Sequence, residues 1–138
     1  MSWLAFALLS AAAAAVTAIL AKIGVEGVPS TLAMAIRTVV VVALAWTIVI
    51  AVGEQRAIAT LSQRTWLYLI ASGVATGVSW WAYFHALQQA PASWVAPIDK
   101  LSLPFTVLLA AIWLGESVSW KAVLGVALMI AGALLTRA

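Results

Sequence analysis

The chain has 138 residues, 66% of them hydrophobic and 8% charged, with a mean hydropathy of +1.14, whereas soluble domains run at roughly 45 to 50% apolar and about 25% charged. That composition excludes a soluble globular protein, and at about 20 apolar residues per crossing the length holds five or six membrane helices with short connections. The formal net charge is +3, but the basic residues are scattered and form no patch or stripe of the kind nucleic acid requires; the absence of cysteine removes disulfides and thiolate chemistry.

The first apolar run, Trp3 to Ala21, is longer than the core of a secretory signal and has no basic segment before it, so it reads as a retained first span. The turn-forming stretch Gly24-Val25-Glu26-Gly27-Val28-Pro29-Ser30 leads to a second span over 33–52, interrupted by one charge, Arg37. Residues 53–65, with Glu54, Gln55, Arg56, Gln63 and Arg64, are the most polar stretch and belong in water or among headgroups. A third span covers 66–87, and Gln88 to Ser93 reverses the chain, because Pro91 lacks a backbone donor and restricts its predecessor. The fourth, 94–114, carries Pro97, Asp99, Lys100 and Pro104. A short connection, 115–119, precedes the fifth, 120–136.

The expected fold is therefore all-α, a single polytopic domain over residues 1–138. Trp3, Trp66, Trp94, Trp113 and Trp120 fall at span ends, where an amphipathic ring sits at headgroup level. Barrel strands would alternate over about 10 residues, and these runs do not. Gly73 and Gly77, and Gly125 and Gly132, supply small-residue faces on which helices can approach closely.

Five crossings put the two termini on opposite sides. Arg56, Arg64 and Lys121 then share one side and Lys22 and Arg137 the other, a slight bias under the positive-inside rule. A chain that inserts both ways would show such a weak bias, and two copies could then pair antiparallel. A single orientation is the alternative.

Ionisable groups inside a bilayer are expensive and usually face a cavity or a partner. Arg37, Asp99 and Lys100 stand out on that ground; Arg37 and Asp99 enter their spans from the same side, Arg37 by roughly 6 to 10 Å at 1.5 Å per residue. Lys22, Glu26 and His85 come to that same side. Asp99 and Ser102 share a helical face, from which Lys100 points about 100° away. Pro97 and Pro104 withdraw two donors and free carbonyls one turn earlier, which loosens the helix beside Asp99. The plainer reading is a structural ion pair between Arg37 and Asp99, with Lys100 snorkelling to the interface. His85 lies one turn from Trp81, and with Trp80 and Tyr83 this is the most aromatic part of the chain, suited to cationic or flat ligands; the plainer reading of His85 is a hydrogen-bonded interfacial residue.

No phosphate-binding loop, HExxH pattern, Cys/His metal spacing or hydrolase triad is present, so no enzyme activity, cofactor or metal is expected.

Thr17-Ala18-Ile19-Leu20-Ala21-Lys22-Ile23-Gly24, Ala35-Ile36-Arg37-Thr38, Pro97-Ile98-Asp99-Lys100-Leu101-Ser102, Leu114-Gly115-Glu116 and the glycine-bearing Gly125 to Gly132 resemble an EamA domain over almost the whole chain. EamA proteins belong to the drug/metabolite transporter superfamily, whose usual members hold two five-helix repeats in inverted orientation. The resemblance implies half of a ten-helix fold: an antiparallel homodimer in the bacterial inner membrane that moves a small metabolite by alternating access. Arg37, Asp99, Lys100, Ser102 and Trp81 would lie on the pathway, with Lys22, Glu26 and His85 at its mouth, and Asp99 would be the coupling group. The chain is also similar in size to EmrE-like multidrug exporters, but those have four spans and a glutamate in the first, where this sequence has no acid. An EmrE-like cation exporter and a noncatalytic membrane partner subunit are the alternatives.

Overall fold

A computed structural model of the chain describes residues 2–136; Arg137, counted in the charge balance above, lies outside them. All regular structure among these residues is helical: α1 (Trp3–Gly24), α2 (Ser30–Val52), a 3₁₀ segment (Glu54–Thr60), α3 (Gln63–Gln89), α4 (Ala92–Asp99), α5 (Ser102–Leu109), a π turn (Ala110–Leu114) and α6 (Trp120–Leu135).

Three stretches among the described residues are long and apolar enough to cross a membrane: α1, α2, and the run Ala92–Leu114 that α4, α5 and the π turn make together. α6 is apolar but has only 16 residues. α3 is the longest helix, at 27 residues, and is diluted by Gln63, Arg64, Ser72, Thr76, Ser79, His85, Gln88 and Gln89. Nearly every large apolar side chain on α1 and α2 is exposed, from Val41 at 37% to Trp3 at 80%. So much apolar surface is stable against hydrocarbon and not against water.

In an apolar medium the polar groups of each helix must find partners within it. The hydroxyls of Thr38, Thr47, Thr76 and Thr106 do so by donating to the carbonyls of Met34, Ala43, Ser72 and Ser102, one turn back, at 2.8 to 2.9 Å. Helix ends are closed by the chain itself. Gly53 takes a left-handed conformation (φ 81°), and its N–H donates to the carbonyls of Val49 and Ile50, which would otherwise be orphaned. Ser62 accepts from the Thr65 N–H ahead of α3, and Ser119 from the Ala122 N–H at the start of α6.

The described chain falls into two compact units. One runs from Leu20 to Gln88 and holds the end of α1, α2, the 3₁₀ segment and most of α3. Its centre is at one end, where Ala21, Val25, Phe84 and Leu87 are buried. The other comprises the chain through Ile19 and from Gln89 onward. There α6 packs on both α4 and α5, and Ala18, Pro104 and Ala133 are buried. The glycines expected to bring helices together are not used this way: a Cβ added at Gly73, Gly77, Gly125 or Gly132 would meet no atom of its own unit within 4 Å.

Leu87 is fully enclosed and Leu8 is 64% exposed. Leu87→Ala is expected to cost about 2 kcal/mol, the lower end of the range for core leucines, because lipid rather than water receives the unpacked segment. Leu8→Ala should leave stability unchanged. Equilibrium unfolding in mixed detergent micelles measures both.

Candidate functional site

Two places hold the polar residues that the sequence singles out. The first lies where the end of α1 and the start of α2 meet the end of α3. Consecutive pairings run antiparallel: Ser30 on α2 meets His85 on α3, with its Oγ 3.4 Å from the imidazole Nδ1, and two turns further along α2 the Arg37 guanidinium lies over the Trp80 ring, 4.2 Å from its centroid. Phe84, buried, is the second ring beside Arg37, at 5.8 Å. Residues 80, 84 and 87 are spaced four and three apart, which aligns Trp80, Phe84 and Leu87 along one face of α3. Trp81 and His85 occupy the adjacent column, their rings stacked at 5.9 Å with 9° between planes.

Charged and amide groups tie the end of this unit to backbone oxygens. Lys22 Nζ donates to the Leu87 carbonyl at 2.6 Å and Gln88 Nε2 to the Val28 carbonyl at 2.6 Å. These carbonyls lie in the last turn of α3 and in the α1–α2 turn, where helical partners run out. Glu26 is exposed in the same turn.

Arg37 is half-buried, seven residues after the first residue of α2. Placing an arginine well inside a bilayer costs about 2.5 to 3.5 kcal/mol on insertion scales, and a cation–π contact returns about 0.5 to 2 kcal/mol. The ring contacts therefore offset only part of the cost. Within its own unit no described carboxylate pairs with Arg37, and no described residue there accepts its N–H groups.

The second place is the interruption between α4 and α5. Pro97 sits inside α4, and Pro104 cannot donate to the Lys100 carbonyl. The ladder switches to shorter steps here: Leu101 N–H donates to the Ile98 carbonyl and Leu103 N–H to the Lys100 carbonyl, both at 3.0 Å. Asp99 ends α4 and Ser102 begins α5. Lys100 Nζ lies 3.2 Å from Asp99 Oδ2, with the two side chains 53% and 33% exposed. The neighbours pair although the backbone stays right-handed helical at Lys100 and Leu101, because the long lysine side chain can fold back to the carboxylate.

Of the residues singled out in the sequence, Lys22, Arg37, Trp81 and His85 gather along the first unit's helix contacts, and Asp99, Lys100 and Ser102 gather at the break. Sequence reasoning did not select Ser30, Phe84 and Gln88 for the site, and it took Trp80 only as part of an aromatic stretch. The spacing of Trp80, Phe84 and Leu87 was an available signal for the face on which Arg37 lies.

Comparison with known proteins bears on the whole chain. The model of the EamA-like transporter family matches residues 1–138. A Sinorhizobium protein described as an uncharacterized transporter in a cobO 3' region is 48% identical over 134 residues, 97% of this chain and 95% of its own length. A riboflavin transporter of Vibrio cholerae is 37% identical over 68 residues, 49% of this chain and 23% of its own length. No solved structure matches. The chain belongs to the EamA-like transporter family: it is a multi-pass membrane protein, and the family points to transport of a small molecule rather than to an enzyme.

Removing the Gln88 to Val28 hydrogen bond should loosen the α1–α2 turn locally. Gln88→Leu is expected to lower amide-exchange protection of residues 25–29 by about 1 kcal/mol, the usual net value of one such bond, while protection in the middle of α2 stays unchanged. Hydrogen–deuterium exchange read by mass spectrometry distinguishes the two segments.

Proposed function

We propose that the protein is a secondary transporter of a small anionic or zwitterionic metabolite, working in the bacterial inner membrane as an antiparallel homodimer by alternating access. The observation that carries this reading is the charged pair Asp99–Lys100 at a proline-flanked break within the membrane-length stretch Ala92–Leu114. In transporters, discontinuous helices near the bilayer midplane present unpaired backbone groups and charges to substrate and coupling ion.

The architecture proposed is five crossings over one domain, residues 1–138, with α3 and α6 joining the three strongly apolar stretches. Two inverted copies then make ten helices. The transporter-named Sinorhizobium relative supports this arrangement, because it matches almost end to end at the same length. Its source also supports a bacterial inner membrane.

The pathway residues in this reading are Arg37, Asp99, Lys100, Ser102 and Trp81, with Lys22, Glu26 and His85 near its mouth. Asp99 couples transport to a proton or cation, and Arg37, which meets no described carboxylate within its own unit, favours a negative or zwitterionic solute. The riboflavin transporter relative supports an organic cargo with a flat ring, which the aromatic stretch from Trp80 to Phe84 suits. An EmrE-like exporter of polyaromatic cations fits less well, since Arg37 already occupies the Trp80 face.

In proteoliposomes assayed with labelled amino acids and organic acids, the wild-type chain should accumulate at least one of them. Asp99→Asn and Arg37→Ala should each cut the initial rate at least tenfold (about 1.4 kcal/mol). Normal rates and unchanged pH dependence in both variants would remove these residues from the pathway. Paired C-terminal reporters should give comparable signals on both sides of the membrane, and a one-sided signal would rule out the antiparallel pair.

A further inference from the structure

We propose that Arg37, with Trp80 and Phe84, is the recognition point for a carboxylate carried on a flat conjugated ring, so that the solute class is an aromatic carboxylate. This rests on the transporter reading, and names the cargo of its proposed pathway.

The guanidinium is planar and its N–H groups lie in that plane. The guanidinium carbon lies 4.2 Å from the Trp80 centroid and 5.8 Å from that of Phe84, so the rings hold the cation by its charge without accepting hydrogen bonds from its N–H groups. No described residue of the same unit fills them. Two parallel N–H groups match the two oxygens of a carboxylate, a fork that a lysine cannot reproduce. The group best suited to complete this site is thus a planar oxyanion.

The surroundings select what carries that oxyanion. Trp81 is half exposed, and one of its faces is taken by the stacked His85 ring. Ser30, itself buried, holds His85 from the other helix, so the stacked pair is fixed at the same α2–α3 contact as the Arg37 contact. A second aromatic pair thus occupies the next column of the same helix, one residue on from Trp80. A conjugated ring finds offset or edge contacts there that a saturated ring of equal size lacks. A cationic aromatic is disfavoured at the same place, because Arg37 already lies over Trp80 and Lys22 lies in the same unit, with Glu26 exposed in the turn.

Equilibrium dialysis of labelled indole-3-acetate against the purified full-length chain in neutral detergent tests this without requiring flux. Saturable binding is expected, displaced by benzoate, displaced at least fivefold less well by cyclohexanecarboxylate, and not displaced by tryptamine. Arg37→Gln should weaken binding at least tenfold. Arg37→Lys, which keeps the charge and guards against a folding artefact, should weaken it severalfold, and Trp80→Leu likewise. Tryptamine competing as well as benzoate, unchanged affinity in Arg37→Gln, or no saturable binding would each overturn the proposal. So would displacement by short-chain phosphatidylglycerol at lower concentration than benzoate, which would assign Arg37 to a lipid phosphate. Binding by a chain that shows no flux in proteoliposomes would uphold this site and overturn the transporter reading alone.

Discussion

A polar group inside hydrocarbon has no water to bond with, and the described structure can be read as a series of answers to that constraint. Where the sequence offers a hydroxyl, the helix supplies a carbonyl one turn back, as for Thr38 and Thr106. Where a helix ends, a serine or a left-handed glycine collects the loose backbone groups. Where the sequence offers a full charge, these local devices fail, since a guanidinium carries more donors than one neighbouring carbonyl can accept and a carboxylate needs donors that a helix interior does not offer. Arg37 and Asp99–Lys100 are the places where the chain needs something beyond a carbonyl one turn back.

The two solutions differ in kind. Arg37 leaves α2 regular and relies on rings from α3, a contact that preserves every backbone hydrogen bond but satisfies none of the side chain's own donors. At Asp99 and Lys100 the helix itself gives way, and adjacent residues pair across the interruption. The first arrangement keeps a fixed charge with open donors. The second keeps an interrupted helix with a neutralised, partly exposed pair. A surface ion pair of that exposure adds little stability, at most about 1 kcal/mol in water, so its position at a break says more about polar access than about folding.

Much of this was legible in the sequence. Helical class follows from unbroken apolar runs, and the positions where α1, α2 and α6 begin lie within three residues of those expected. Pro97 and Pro104 announced a disturbance beside Asp99, because missing donors are a property of the residue and not of its surroundings. Whether α3 counts as a crossing was less legible: its glutamines and hydroxyls dilute an apolar signal that has to be averaged over a window. Partner identity was not legible either. That Arg37 would meet Trp80 and Phe84, or that Ser30 would reach His85, depends on the antiparallel register of two helices separated by the 3₁₀ segment and its flanking turns, and no local spacing specifies it.

The small-residue faces show the same limit from the opposite side. Gly73 and Gly77 fall four apart on α3, and with Trp80, Phe84 and Leu87 they continue one column at four- and three-residue steps. Leu87 and Phe84 are enclosed at one end of that column, whereas a Cβ at Gly77 or Gly73 would touch nothing of its own unit. The column thus passes from closed packing through the Arg37 contact to open space within a single helix. Glycine there does not serve a close approach inside the unit. It leaves the helix surface beyond the Arg37 contact bare of neighbours from its own unit, so the enclosure that Phe84 and Leu87 provide ends within two turns of the charge.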